Sequence, residues 1–117
     1  MTYTYAKVLL KRKELIMATI TMAKQNGSNV SVKYGNTTMN LSGTLIGFTA
    51  NAVFIKNNRT VFIHIIKNNS LVPSGRNIPI TNDNEVKMYG NQLGIKKGAM
   101  IHLYDETGRA VGQTMAR

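Results

Sequence analysis

The groups that could do chemistry are few in this chain of 117 residues. Its carboxylates are Glu14, Asp83, Glu85, Asp105 and Glu106, and its imidazoles are His64 and His102. A paired-carboxylate hydrolase or a carboxylate-rich metal site has little to draw on. There is no Cys, which excludes zinc ribbons, thiol catalysis, disulfide scaffolds and thiolate-bound iron–sulfur clusters. The two histidines are 38 positions apart, with no second ligand near His64, so no metal site is expected. Ser42, Ser70 and Ser74 have no histidine placed as a base. Gly94-Ile-Lys-Lys-Gly98 lacks the Gly-Lys-Ser/Thr ending of a phosphate loop, and no helix follows it. The expectation is a binding protein rather than an enzyme, with no cofactor.

Cations supply the positive evidence. Fifteen Lys and Arg against five acids give +10. Residues 1–81 hold ten cations and one acid, and so carry +9 of that charge. A field of this sign draws polyanions and speeds their encounter. A nucleic acid is therefore the expected partner, ahead of an anionic membrane surface or an acidic protein. Nothing near the N-terminus reads as a targeting or spanning segment, because its longest apolar stretch, Leu15-Ile-Met-Ala18, is four residues. A cytoplasmic protein with no membrane partner is expected.

These residues need elements to hold them. Residues 5–24 have apolar positions at near-helical spacing, with Gly27 as a stop, and predict one N-terminal α-helix. The stretch 18–22 alternates, so its end also fits a strand. Beyond Gly27 the pattern changes to short strands and tight turns. Val30-Ser-Val-Lys-Tyr34 alternates, and Gly35-Asn36 is a hairpin turn. Alternation runs again from Met39 to Phe48, with glycines suited to a strong bend. Ala52-Val-Phe-Ile-Lys56, Arg59-Thr-Val-Phe-Ile-His-Ile-Ile66 and Ser70-Leu-Val-Pro73 complete five strands. Thirteen Asn residues punctuate the turns. The expected fold is mainly β: the helix, then a strongly bent five-stranded barrel over 1–76, a linker at 77–84, and a C-terminal β-hairpin unit at 85–117. That unit is too short to fold alone, so it must pack on the barrel or on another copy.

The strand core resembles the Sm-like family, and within it the bacterial RNA chaperones of the Hfq type. Val30-Ser-Val32, Leu41-Ser-Gly-Thr-Leu-Ile-Gly-Phe48, Val53-Phe-Ile-Lys-Asn57, Val61-Phe-Ile-His-Ile-Ile66 and Leu71-Val-Pro-Ser74 carry the likeness. It implies an SH3-type barrel that closes into a homo-oligomeric ring of six or seven copies. In such rings the strand at 61–66 pairs with the strand at 70–73 of the next copy. It also implies RNA binding, for riboregulation or RNA chaperoning. This chain departs from the pattern in four ways. The loop Thr49-Ala-Asn51 has neither aromatic nor Gln, Thr49 stands where the family has Asp, Ile63 replaces the lysine beside the histidine, and two extra residues lie within Lys67-Asn68-Asn69.

Several residues are candidate RNA contacts. Lys11, Arg12 and Lys13 form the densest basic cluster, either a phosphate grip or a solvated helix face. Tyr34 beside Lys33 has the aromatic-plus-cation pattern that stacks bases in single-strand binders. Asn51 could pair with a base edge or simply form a turn. Lys56 and Asn57 would lie at the barrel mouth, with Lys56 either on a phosphate or in solvent. By the resemblance His64 would reach RNA at the pore; otherwise it is a hydrogen-bonded residue at a subunit contact. An alternative role is a structural ring, connector or assembly protein of a phage or mobile element, with the C-terminal unit as its assembly element.

Overall fold

The computed structural model of the protein describes residues 18–115. Turn chemistry sets its architecture. Six hairpins close through two-residue loops, and in each the first loop residue has a positive φ: Gly27, Gly35, Asn58, Asn68, Gly90 and Gly98. Glycine and asparagine tolerate that conformation, which matches the twist of the flanking strands. Asn68 and Asn69 are both left-handed, at φ 53° and 62°, as a type I′ turn requires.

Among the described residues, twelve strands form three antiparallel sheets. The first holds β1 (Ile20–Asn26), β2 (Asn29–Tyr34) and β3 (Thr37–Ser42). The second runs β4 (Thr44–Phe48), β5 (Ala52–Asn57), β6 (Thr60–Lys67) and β7 (Ser70–Pro73), with β8 (Ile78–Pro79) also on β6. The third is a meander of β9 (Glu85–Tyr89), β10 (Gln92–Lys97), β11 (Met100–Tyr104) and β12 (Ala110–Met115).

The second sheet lies between two cores. Val53, Ile55, Ile66 and Leu71 join Ile20, Val30, Val32 and Tyr34 of the first sheet. Ala52, Phe54, Val61 and Ile63, on the opposite face, join Ile78, Ile80, Leu93 and Ile95. A sheet covered on both faces gives strands that read as continuous apolar runs. This is why Ala52-Val-Phe-Ile55 is buried without alternation. By contrast, β2 alternates because only one of its faces is covered.

Two parts of the expected fold are corrected. Among the described residues there is no helix, and no sheet closes into a barrel. Of the stretch expected as helix, residues 20–24 belong to β1, paired with β2. The β-branched Thr19, Ile20 and Thr21 favour that outcome. The earlier part of the helix, with Lys11, Arg12 and Lys13, lies outside the described residues. The barrel fails at Gly43. The alternating run 39–48 is not one bent strand; at φ 129° Gly43 turns the chain from β3 in the first sheet to β4 in the second. The strand pairing that the resemblance assigned to neighbouring copies is made within the chain. Residues 64–67 of β6 pair with β7, and Thr60 and Val61 pair with β8. The segment read as a linker therefore supplies β8, and it buries Ile78 and Ile80.

Candidate functional site

The crossover at Gly43 creates a polar cleft of about 330 Å³. Ser28 and Asn29, from the β1–β2 turn, form one wall. Ser42, Gly43 and Thr44 form the floor, and Lys56, Asn57 and Asn58, at the end of β5, form the other wall. The register explains the grouping. Asn29 pairs with Ser42 in the first sheet and Thr44 with Lys56 in the second. Gly43 thus carries two matched pairs from one sheet to the next.

Gln25 braces the crossover. Its Nε2 donates to the carbonyls of Gly27 (3.0 Å), Asn29 (3.1 Å) and Gly43 (2.9 Å), and its Oε1 accepts from Leu45 N at 2.7 Å. Gly43 N donates to Ser28 O at 2.9 Å. Asn57 Nδ2 reaches Ser42 O at 3.5 Å. Backbone groups freed where the chain leaves one sheet for another thereby find partners. The cleft presents one ammonium, three hydroxyls and three amides, and no carboxylate lines it. Such a set suits an anionic or heavily hydroxylated ligand.

The remaining site candidates are dispersed. Lys56 and Asn57 stand together in the cleft, half-buried. Asn51 is exposed in the loop at the opposite end of β5. Tyr34 is 6% exposed, its ring held in the first core, so no face is open for stacking. Lys33 points away from that core and is exposed. His64 is half-buried on β6, opposite Val53, with a buried Nδ1 that has no hydrogen-bond partner. Burial lowers its pKa below the ordinary 6.5. Phe48, at the end of β4, is 40% exposed.

At the end of the second sheet remote from the cleft, the β11–β12 turn docks on the β4–β5 loop. Thr49 Oγ1 donates to Glu106 Oε2 and accepts from Asn51 N (3.2 Å) and Ala52 N (3.1 Å). Asp105 Oδ1 accepts from Thr107 N, Thr107 Oγ1 and Arg109 N at 2.7–3.0 Å. Burial pushes the Asp105 pKa up, but these bonds and the Arg109 charge outweigh it, and the carboxyl titrates below its ordinary range. The Thr49 hydroxyl thus caps the loop and meets an acid from the third sheet.

Sequence reasoning missed Gln25, Ser28, Asn29, Ser42, Thr44 and Asn58. Only Gly43, a glycine inside an alternating run, carried a usable signal. Among the described residues no group of three or more His, Asp or Glu could hold a metal. Among them, too, no helix is long and apolar enough to cross a membrane.

No known family model matches this chain, and no curated protein matches it. Neither comparison ties it to the Sm-like proteins.

Proposed function

We propose that this chain is a small all-β protein that binds single-stranded RNA by its phosphate backbone, works as a homo-oligomer and is not an enzyme. One observation carries the reading: a +10 chain holds a polar cleft with a lysine, hydroxyls and amides on its walls and no acid among them. Between residues 18 and 115, ten Lys and Arg stand against four acids, so the excess extends well beyond the N-terminal cluster. Fluorescence anisotropy with A-rich and U-rich oligonucleotides tests it. Affinity falls with salt, with a log–log slope of about −0.7 for each phosphate neutralised on a single strand. No binding, or binding indifferent to salt, refutes it.

A second reading, as an assembly or connector protein, is favoured by β12. This strand is exposed along its whole length, carries no charge, and leaves Val111 46% and Met115 64% exposed at a sheet edge. Uncharged apolar edges are templates for strand pairing. Light scattering of Val111→Lys tests it. An oligomer that dissociates supports assembly through β12, and one that is unchanged rejects it.

A further inference from the structure

The composition of the crossover cleft is more specific than its charge. Bases are gripped by stacking on aromatic rings, which is sequence-tolerant and strong. No aromatic or large apolar side chain lines this cleft. A base would find no platform there. What the walls offer instead is Lys56, the hydroxyls of Ser42 and Thr44, and the amides of Asn29 and Asn57. An ammonium suits a phosphodiester oxygen. Amides and hydroxyls both donate and accept, as does a ribose 2′-hydroxyl, the group by which proteins tell RNA from DNA.

Size and rigidity point the same way. At about 330 Å³ the cleft is at the small end of ligand sites, room for one sugar–phosphate unit rather than a folded RNA element. Its floor is fixed: Gln25 ties Gly43 to the neighbouring turn, and Gly43 N is bonded to Ser28 O. Arg59 belongs to the same two-residue turn as Asn58, so a second cation stands next in sequence to the cleft wall.

We infer that the cleft at the sheet crossover is a ribose–phosphate subsite. It holds one backbone unit of single-stranded RNA, with Lys56 on the phosphate and Asn29 and Asn57 on the sugar hydroxyls. It prefers RNA to DNA and is indifferent to the base. The inference rests on the RNA-binding reading above and adds where the strand is held and what is read.

Affinities of the full chain for rA, rU and matched dA and dT oligonucleotides of one length test it, alongside Lys56→Gln and, as a charge-matched control on the third sheet, Lys87→Gln. The expected result has three parts. Wild type binds rA and rU alike and the DNA strands several-fold more weakly. Lys56→Gln weakens both RNAs by roughly three- to tenfold and makes the salt slope shallower by about 0.7. Lys87→Gln has a smaller effect. Far-UV circular dichroism verifies that the variants fold. Should Lys56→Gln not fold, Asn57→Asp sets a carboxylate at the same wall and likewise weakens both RNAs, with Lys87→Gln again the smaller effect. If wild type binds RNA but Lys56→Gln behaves like Lys87→Gln, or DNA binds as tightly as RNA, the subsite is refuted and the RNA-binding reading stands. If wild type binds neither nucleic acid, both fall.

Discussion

Gly43 is the residue on which the crossover depends, and Gly43→Ala is the sharpest test of the architecture. A Cβ added there would fall 2.6 Å from Ile55 Cγ2 and 2.7 Å from the Lys56 carbonyl oxygen. Neither neighbour can yield easily. Ile55 is 1% exposed in the first core, and the carbonyl is strand backbone. The backbone angle, φ 129°, is itself one that L side chains rarely adopt. Strain of that kind costs about 1–3 kcal/mol. Overpacking against a filled core adds about 1–3 kcal/mol. The expected loss is thus about 2–6 kcal/mol, a large share of the 5–15 kcal/mol or so that holds a typical domain together.

Gly47→Ala is the internal control. A Cβ there meets the Met88 side chain, which is unbranched and adaptable, and Gly47 has no positive φ. The added methyl overpacks Met88 Cγ, so a cost of about 1–3 kcal/mol is expected, without the backbone strain of Gly43. Urea unfolding of both variants supplies the measurement, read as a shift in midpoint at unchanged slope. Equal losses at the two glycines, or a Gly43→Ala loss under about 1 kcal/mol, would refute the claim that a single residue carries the chain between sheets.

Phe54→Ala removes a fully buried ring from the core between the second and third sheets, and urea midpoints should report a loss of about 3–5 kcal/mol. Thr49→Val keeps the side-chain shape but deletes the hydroxyl that caps the β4–β5 loop and meets Glu106. A cost of about 1–3 kcal/mol is expected, and a double-mutant cycle with Glu106→Gln should show coupling, its absence counting against the docked turn. His64 has its folded pKa lowered by burial, so the unfolded chain takes up that proton first. Its effect on stability is absent above about pH 6.5 and grows as pH falls toward the lowered folded value; His64→Gln should flatten that part of the stability–pH curve.

Turn chemistry made much of the strand pattern legible. The turns at Gly35, Asn58 and Asn68-Asn69 could be read because positive φ restricts those positions to few residue types. The layering was not legible. A run such as Ala52-Val-Phe-Ile55 reports that a strand is buried on both faces but not what covers each, and a closed barrel and a three-sheet stack bury it equally. Five short strands, tight turns and in-strand glycines suggested the barrel, and the crossover at Gly43 from one sheet to the next replaced it. At the site, Lys56 and Asn57 stood out through charge and turn type. Gln25 and Ser28 did not, because a polar residue near a turn looks the same whether it faces water or braces a crossover. Tyr34 misled for the opposite reason: its neighbour Lys33 lies on the other face of the strand, so adjacency in sequence meant separation in space.

The stacking of the sheets also decides where binding chemistry can lie. Both faces of the second sheet are occupied by cores, so its interior strands have no free face to offer a ligand. Polar groups on that sheet collect where strands end, and the two ends are differently equipped. One has the β4–β5 loop, whose Thr49 hydroxyl is engaged by Glu106 from the third sheet. An acid is already in place there, which disfavours a polyanion. At the other end the crossover leaves Lys56 among hydroxyls and amides with no carboxylate beside it. Asn51, just before β5, and Lys56, near its end, are five residues apart, roughly 17 Å at the rise of an extended chain, and yet they meet opposite electrostatic surroundings. A polyanion approaching this molecule should therefore settle at the Lys56 end, and substitutions at Asn51 should leave its affinity unchanged.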